Sequence, residues 1–201
     1  MAVIAVRVWL PDRPGALGAV ASSIGSVGGD VIGIDIIDRG AGRAVDELVV
    51  DLPDEALVDR LLRTIADVDG VDVEDSRILE GPPPDPAVTA LGVAHSLRDA
   101  DPTEVAELLA AGARRLLAAD WAAVVSVDGS DVLGASGDAV PSAAWLTALA
   151  AGATANGSGA ELGGVSVVTL QRSAAALIVA REHLPLRGRE QRVLEALAAL
   201  A

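Results

Sequence analysis

The sequence predicts an α+β chain built in two parts, and two observations lead there. Through the first 80 residues, apolar alternation and helical spacing take turns in the order βαββαβ. A proline run, Gly81-Pro82-Pro83-Pro84-Asp85-Pro86, then breaks all periodicity before a second set of helix and hairpin patterns begins. With 201 residues, 51% of them hydrophobic, the chain is long enough for two cores.

Each element of the first part has its own signal. Ala2 to Leu10 alternates and is rich in Val, which is a strand pattern. Leu17, Val20, Ile24 and Val27 recur at steps of three and four, one face of a helix that Gly28-Gly29 stops. Asp30 to Asp38 is β-branched and forms a second strand, with Ile32, Ile34 and Ile36 on one face. Arg39-Gly40-Ala41-Gly42-Arg43 is a hairpin turn into a third strand, Ala44 to Leu52. Pro53-Asp54 opens a second helix with Leu57, Leu61, Leu62 and Ile65 as its stripe, and Val71 to Leu79 is the fourth strand. This order is the ferredoxin-like one, an antiparallel four-stranded sheet with two helices on one face.

The proline run, residues 81–87, is read as a semi-rigid linker, and residues 88–201 as a second, α/β domain with an antiparallel sheet. Thr89 to Ser96 fits a short strand or a helical lead-in. Asp101-Pro102-Thr103-Glu104 carries a helix-start signature for a helix to about Ala119. Trp121 to Val127 and Asp131 to Ser136 form a hairpin about Asp128-Gly129. Ser142 to Ala151 is helical, Ala153 to Gly164 a Gly-rich loop, Val165 to Arg172 and Ala174 to Arg181 a second hairpin, and Leu186 to Ala201 a final helix.

Composition excludes more chemistry than it proposes. All fifteen basic residues are Arg, so a Walker-type phosphate loop and a Schiff-base lysine are both ruled out. Without Cys there is no thiol nucleophile, thiolate zinc site or disulfide. His95 and His183 stand far apart and outside any metal-ligand spacing. Gly134-Ala135-Ser136-Gly137 lacks the spacing of a nucleophile elbow and reads as a strand end. Asp35 and Asp46, on the second and third strands, are read as solvent-facing or interface positions. A net charge of −14 disfavours nucleic acid and anionic membrane surfaces. The sequence carries no long apolar run and Met1 to Leu10 no leader pattern, so a cytoplasmic, non-catalytic protein without cofactor or metal is expected.

One stretch makes a specific chemical suggestion. Asp12-Arg13-Pro14-Gly15-Ala16-Leu17 joins the first strand to the first helix. Asp12 suits a helix cap, Pro14 the first helical turn, and Gly15 a close approach to the backbone. The first N–H groups of such a helix have no internal partners and can receive a carboxylate. With the Gly28-Gly29-Asp30-Val31 start of the second strand, this pattern resembles the ACT domain family, whose opening reads D/N-R-P-G-x-L and whose second strand begins G-x-N-I. The chain has Asp30 where the family often has Asn.

The resemblance implies a small-molecule sensor, usually of amino acids, that pairs side by side through sheet edges. Ligand then lies between the first turn of one copy and the second strand of the other. Carried to this chain, those positions are Asp12, Arg13, Pro14, Gly15, Ala16 and Leu17 with Asp30, Val31 and Ile32. The ligand carboxylate would meet the N–H groups near Gly15 and Ala16, the ammonium would meet Asp30 or Asp12, and Arg13 would offset the two acids. The purely structural alternative is that Asp12 only caps its helix and Asp30 only starts a strand. Residues 88–201 resemble a GAF domain in their opening helix, hairpins and Pro185-led final helix. Together these imply a regulatory homodimer, joined through ACT sheet edges or GAF-like helices, that passes a signal to an unidentified output protein. A ligand-free interaction and dimerisation module is the rival reading.

Overall fold

The computed structural model describes residues 1–127, 131–155, 160–182 and 184–201. The chain divides into two compact units, Met1–Pro83 and Pro84–Ala201.

In the first unit, β1 (Ala2–Pro11), α1 (Ala16–Ser26), β2 (Asp30–Gly40), β3 (Arg43–Leu52), a 3-10 turn (Glu55–Leu57) leading into α2 (Val58–Ala66), and β4 (Asp72–Leu79) follow in chain order. The sheet order is β2-β3-β1-β4, antiparallel throughout, so βαββαβ has wound into the ferredoxin-like topology. Alternation decides the layers. Ile4, Val6, Val8 and Leu10 of β1 and Ala44, Leu48, Val50 and Leu52 of β3 bury one face against Val20 and Ile24 of α1 and Leu61 and Ile65 of α2. The hairpin between β2 and β3 turns at Ala41 (φ 52°) and Gly42 (φ 78°), the consecutive left-handed pair that a two-residue loop demands.

Two sequence expectations need correction here. Asp12 does not cap α1. The helix begins at Ala16 with Gly15 in the cap position at φ 90°, and no side chain caps it. Asp12 instead donates its backbone N–H to Gly42 O at 2.9 Å, which ties the turn to the hairpin and leaves Pro14 ahead of the helix. Asp46 does not face solvent. It shares the helix-facing side of β3 with Ala44 and Leu48 and is 3% exposed.

The second unit holds α3 (Pro86–Asp99), α4 (Val105–Leu116), β5 (Trp121–Ser126), β6 (Val132–Ser136), α5 (Ala143–Ala155), β7 (Ala160–Leu162), β8 (Val165–Thr169), β9 (Ala175–Ala180) and α6 (Gly188–Ala198). The sheet order is β6-β5-β9-β8-β7, again antiparallel. Val93 of α3, Leu109 and Ala113 of α4, and Leu194 and Leu197 of α6 pack with Val124, Leu177 and Val179 from one face. Leu146 and Ala150 of α5 pack with Trp121, Ile178 and Val167 from the other. Trp121 and Trp145 meet edge to face at 6.2 Å.

Here Thr89 to Ser96 is helical, and Pro86 and Ala87, read as linker, form the first turn of α3, where Asp85 accepts the N–H groups of Ala87 and Val88. The helix after Asp101-Pro102 starts three residues later than its signature suggests, at Val105. The Gly-rich loop of Ala153 to Gly164 contains the end of α5 and the short β7; its residues 156–159, the Asp128-Gly129 turn and His183 lie outside the described residues.

Arg181, buried just past β9, ties the end of α4 to the segment that leads into α6. Its Nε donates to Leu184 O at 2.8 Å, Nη1 to Leu117 O at 3.1 Å and Glu190 Oε1 at 2.8 Å, and Nη2 to Pro185 O at 3.3 Å and Glu190 Oε2 at 2.9 Å. Among the described residues no helix is long and apolar enough to cross a membrane.

Candidate functional site

The turn from β1 to α1 stands at one end of the first sheet. Asp12, Arg13, Pro14 and Gly15 are all exposed, while Ala16 is buried and Leu17 half-buried. Arg13 N–H donates to Pro11 O at 2.8 Å, and Ala16 N–H donates to Arg13 O at 3.3 Å. The next N–H groups, of Leu17 and Gly18, belong to the first turn of α1, where no intrahelical carbonyl precedes them. Gly15 at φ 90° has nothing within 4 Å of where a Cβ would stand, so conformation and not crowding selects glycine there. Of the Gly15–Ala16 pair read from the sequence, Ala16 N–H is thus engaged on Arg13 O, and the first-turn N–H groups of Leu17 and Gly18 are further donors at the turn.

Charge around the turn is mixed. Arg13 Nη2 stands 3.6 Å from Asp69 Oδ2, with both side chains largely exposed, and Arg43 Nη2 donates to Asp72 Oδ2 at 2.6 Å. On β3, opposite Val8 and Ile36, burial pushes the Asp46 carboxyl above its ordinary proton affinity; the Arg39 charge pulls it back and the Asp12 charge adds to the rise. Asp46 Oδ1 is shielded and has no hydrogen-bond partner.

The chain does not bring the two predicted halves of the site together within one copy. Asp30, Val31 and Ile32 begin β2, opposite the end of β3 at Asp51 and Val50, whereas the Asp12 turn is tied to Gly42, in the hairpin turn just ahead of the other end of β3. The second strand is a sheet edge. Ile32, Ile34 and Ile36 are 43%, 51% and 40% exposed along it. Sequence reasoning placed these three on one face and missed their exposure, because alternation does not say which strand ends at an edge.

No family model matches the chain, and no curated protein matches it. Among solved structures, the ACT domain of a GTP pyrophosphokinase from Chlorobium tepidum matches at 15% identity and a TM-score of 0.32, over 39% of this chain and 100% of that one. A formyltetrahydrofolate deformylase from Pseudomonas putida matches at 17% identity and a TM-score of 0.30, over 48% of this chain and 38% of that one. The chromophore-binding domain of the Stigmatella aurantiaca bacteriophytochrome matches at 15% identity and a TM-score of 0.41, over 83% of this chain and 67% of that one.

Elsewhere, the described residues hold no cluster of three or more His, Asp or Glu set to bind a metal. His95 is exposed on α3 beside Arg98, at 2.9 Å, and Asp99, at 3.5 Å, a surface arrangement. In the second unit a groove of about 330 Å³ runs between α3 and α4, lined by Val88, Gly92, Val93, Leu108 and Arg115 among others.

Proposed function

We propose that the chain is a non-catalytic regulatory protein whose first unit binds a small amino-acid ligand at the Asp12–Leu17 turn, within a homodimer paired through the β2 edges. The observation that carries this reading is the isoleucine-lined edge strand β2, whose hairpin with β3 holds the exposed Asp12 turn by its backbone. A bare edge of this length invites a second strand. Two copies paired antiparallel about the middle of β2 would set Asp30, Val31 and Ile32 of one beside Asp38 to Gly40 of the other. Gly42, two residues on, holds Asp12 by its backbone. The two halves that are far apart in one copy would then meet across the pair. Arg13 and the first-turn N–H groups of α1 supply the anion-binding side. Ligand held by both copies would shift their arrangement, and an output protein would read that shift.

A screen of the twenty amino acids by thermal unfolding tests this, since a ligand that binds only the folded state raises the melting temperature. At least one amino acid should raise the melting temperature in a concentration-dependent way. A folded dimer that responds to none would favour the second reading, a ligand-free dimerisation module, for which the isoleucine edge alone is sufficient.

A further inference from the structure

The outer face of α3 is apolar where a solvent-facing helix should be polar. Past Met1, no large apolar side chain among the described residues is more exposed than Leu91 and Val88 of this helix, at 71% and 68%. Both stand on the side of α3 opposite the buried Val93. Beside them runs the groove shared with α4. The two helices cross so closely that a Cβ on Gly112 would stand 2.6 Å from Val93 Cγ1. Over Gly92, which lines the groove, nothing lies within 4 Å of where a Cβ would be. The hydroxyls along it are already engaged: Thr89 donates to Asp85 O at 2.9 Å and Ser96 to Gly92 O at 3.0 Å. The charged residue lining it is Arg115, and among the described residues its guanidinium has no ion pair or hydrogen bond.

We infer that this face is a contact between two copies of the chain, with their α3 helices antiparallel across a two-fold axis near Leu91 and Gly92. Shape and charge select a second copy as the occupant. Protruding side chains and an open groove adjoin on one patch, as a self-complementary contact requires. Residues 100–104 alone join α3 to α4, so the helices run back along each other. Arg115 therefore stands toward the Val88 end of the groove, and Asp99, with 54% of its side chain exposed, toward the other. Antiparallel pairing turns Arg115 of each copy toward Asp99 of the other, whereas a parallel pair would set arginine against arginine and acid against acid. Val88 and Leu91 are then covered, and Gly92 and Ala111 let the helices approach. The contact is separate from the β2 edge and goes beyond the amino-acid reading. Resting on so few apolar side chains, it is weaker than a strand pair and fills at higher concentration, as a second stage of assembly.

The experiment is sedimentation velocity of the full chain over a range of concentrations, carried out in Ile34→Arg so that pairing through β2 does not contribute. The Ile34→Arg chain should sediment as a monomer when dilute and move toward a dimer as the concentration rises. Adding Leu91→Glu should hold it as a monomer throughout with its melting temperature unchanged, since the side chain replaced stands in solvent. Arg115→Glu, in place of Leu91→Glu, should raise the dimer dissociation constant about tenfold, and Asp99→Arg added to Arg115→Glu should bring it back to within about threefold of the Ile34→Arg value. An Ile34→Arg chain that stays monomeric at every concentration, or that associates equally well with Leu91→Glu, would overturn the contact. Arg115→Glu without effect, or without rescue by Asp99→Arg, would overturn the antiparallel arrangement. The amino-acid reading stands or falls separately, on the thermal screen of the wild-type chain.

Discussion

Arg7 sits mid-strand on the sheet face turned away from α1 and α2, with 1% of its side chain exposed. Glu47 on the neighbouring strand accepts from Arg7 Nε and Nη2 at 3.3 and 3.0 Å, and from Arg77 Nη1 and Nη2 at 3.1 and 2.8 Å. Burial alone would raise the Glu47 carboxyl; hydrogen bonds and charge from Arg77, then from Arg7, more than reverse this and hold it below the usual range. Glu47 thus contributes stability above its unfolded-state value, and that contribution is lost as the pH falls through its lowered folded-state value. Glu47→Ala should cost about 3 kcal/mol in urea unfolding at pH 7, because it removes the carboxylate that both Arg7 and Arg77 donate to. The difference from wild type should shrink on acidification. Asp46 has the opposite sign. Its raised folded-state affinity makes its contribution more favourable as pH falls and less favourable as pH rises through that value. At this scale the sequence was only half legible. Alternation put Arg7 and Asp46 in strands, but both faces of Ala44 to Leu52 carry apolar residues, so period two could not choose which face the helices cover. Glu47, which accepts from Arg7, lies 40 residues away, set by a register that no local pattern states.

At the scale of elements, turns ahead of helices misled in the same way twice. Asp12-Arg13-Pro14-Gly15 and Asp101-Pro102-Thr103-Glu104 both carry capping chemistry, and in both the helix begins after the fourth residue, at Ala16 and Val105. A proline-bearing turn satisfies its own first N–H groups, as Glu104 N–H does on Asp101 O, and so delays the helix. Where apolar spacing was strong the elements were placed well. Leu61 and Ile65 are buried as the stripe of α2 demands, and Leu194 and Leu197 as that of α6 demands. The sequence could not show why Gly134 is glycine. A Cβ there would lie 2.4 Å from Glu107 N and 2.5 Å from Ala106 C, both backbone atoms of α4. That helix cannot yield as a flexible side chain would. Gly134→Ala should therefore destabilise the chain by about 1–3 kcal/mol in chemical unfolding, although Ala is the better strand residue.

At the scale of the whole molecule, the order of elements and the break at the prolines were legible because they are one-dimensional properties. The prolines interrupt periodicity wherever they stand. Which strands end at an edge is a property of winding, and it left the exposure of Ile32, Ile34 and Ile36 to be found in three dimensions. Ile34 is half exposed on that edge, so Ile34→Arg should change the stability of an isolated copy by no more than about 0.5 kcal/mol. If the copies pair through β2, the same substitution should shift the chain from dimer to monomer in sedimentation velocity, and the amino-acid response should fall with it. A dimer that survives Ile34→Arg unchanged would place the pairing elsewhere.

The last helix is held by something more particular than its leucines. Arg181 spends every one of its five N–H donors at a single junction, on three carbonyls and both oxygens of Glu190. A lysine has three donors on one nitrogen and could not span those directions. The chain's exclusive use of arginine, which looks like a matter of coding when read as composition, becomes at this one position a matter of geometry. Residues 188–198 are consequently a counterion as well as a cover: α6 brings the carboxylate that allows a cation to stay where the sheet ends.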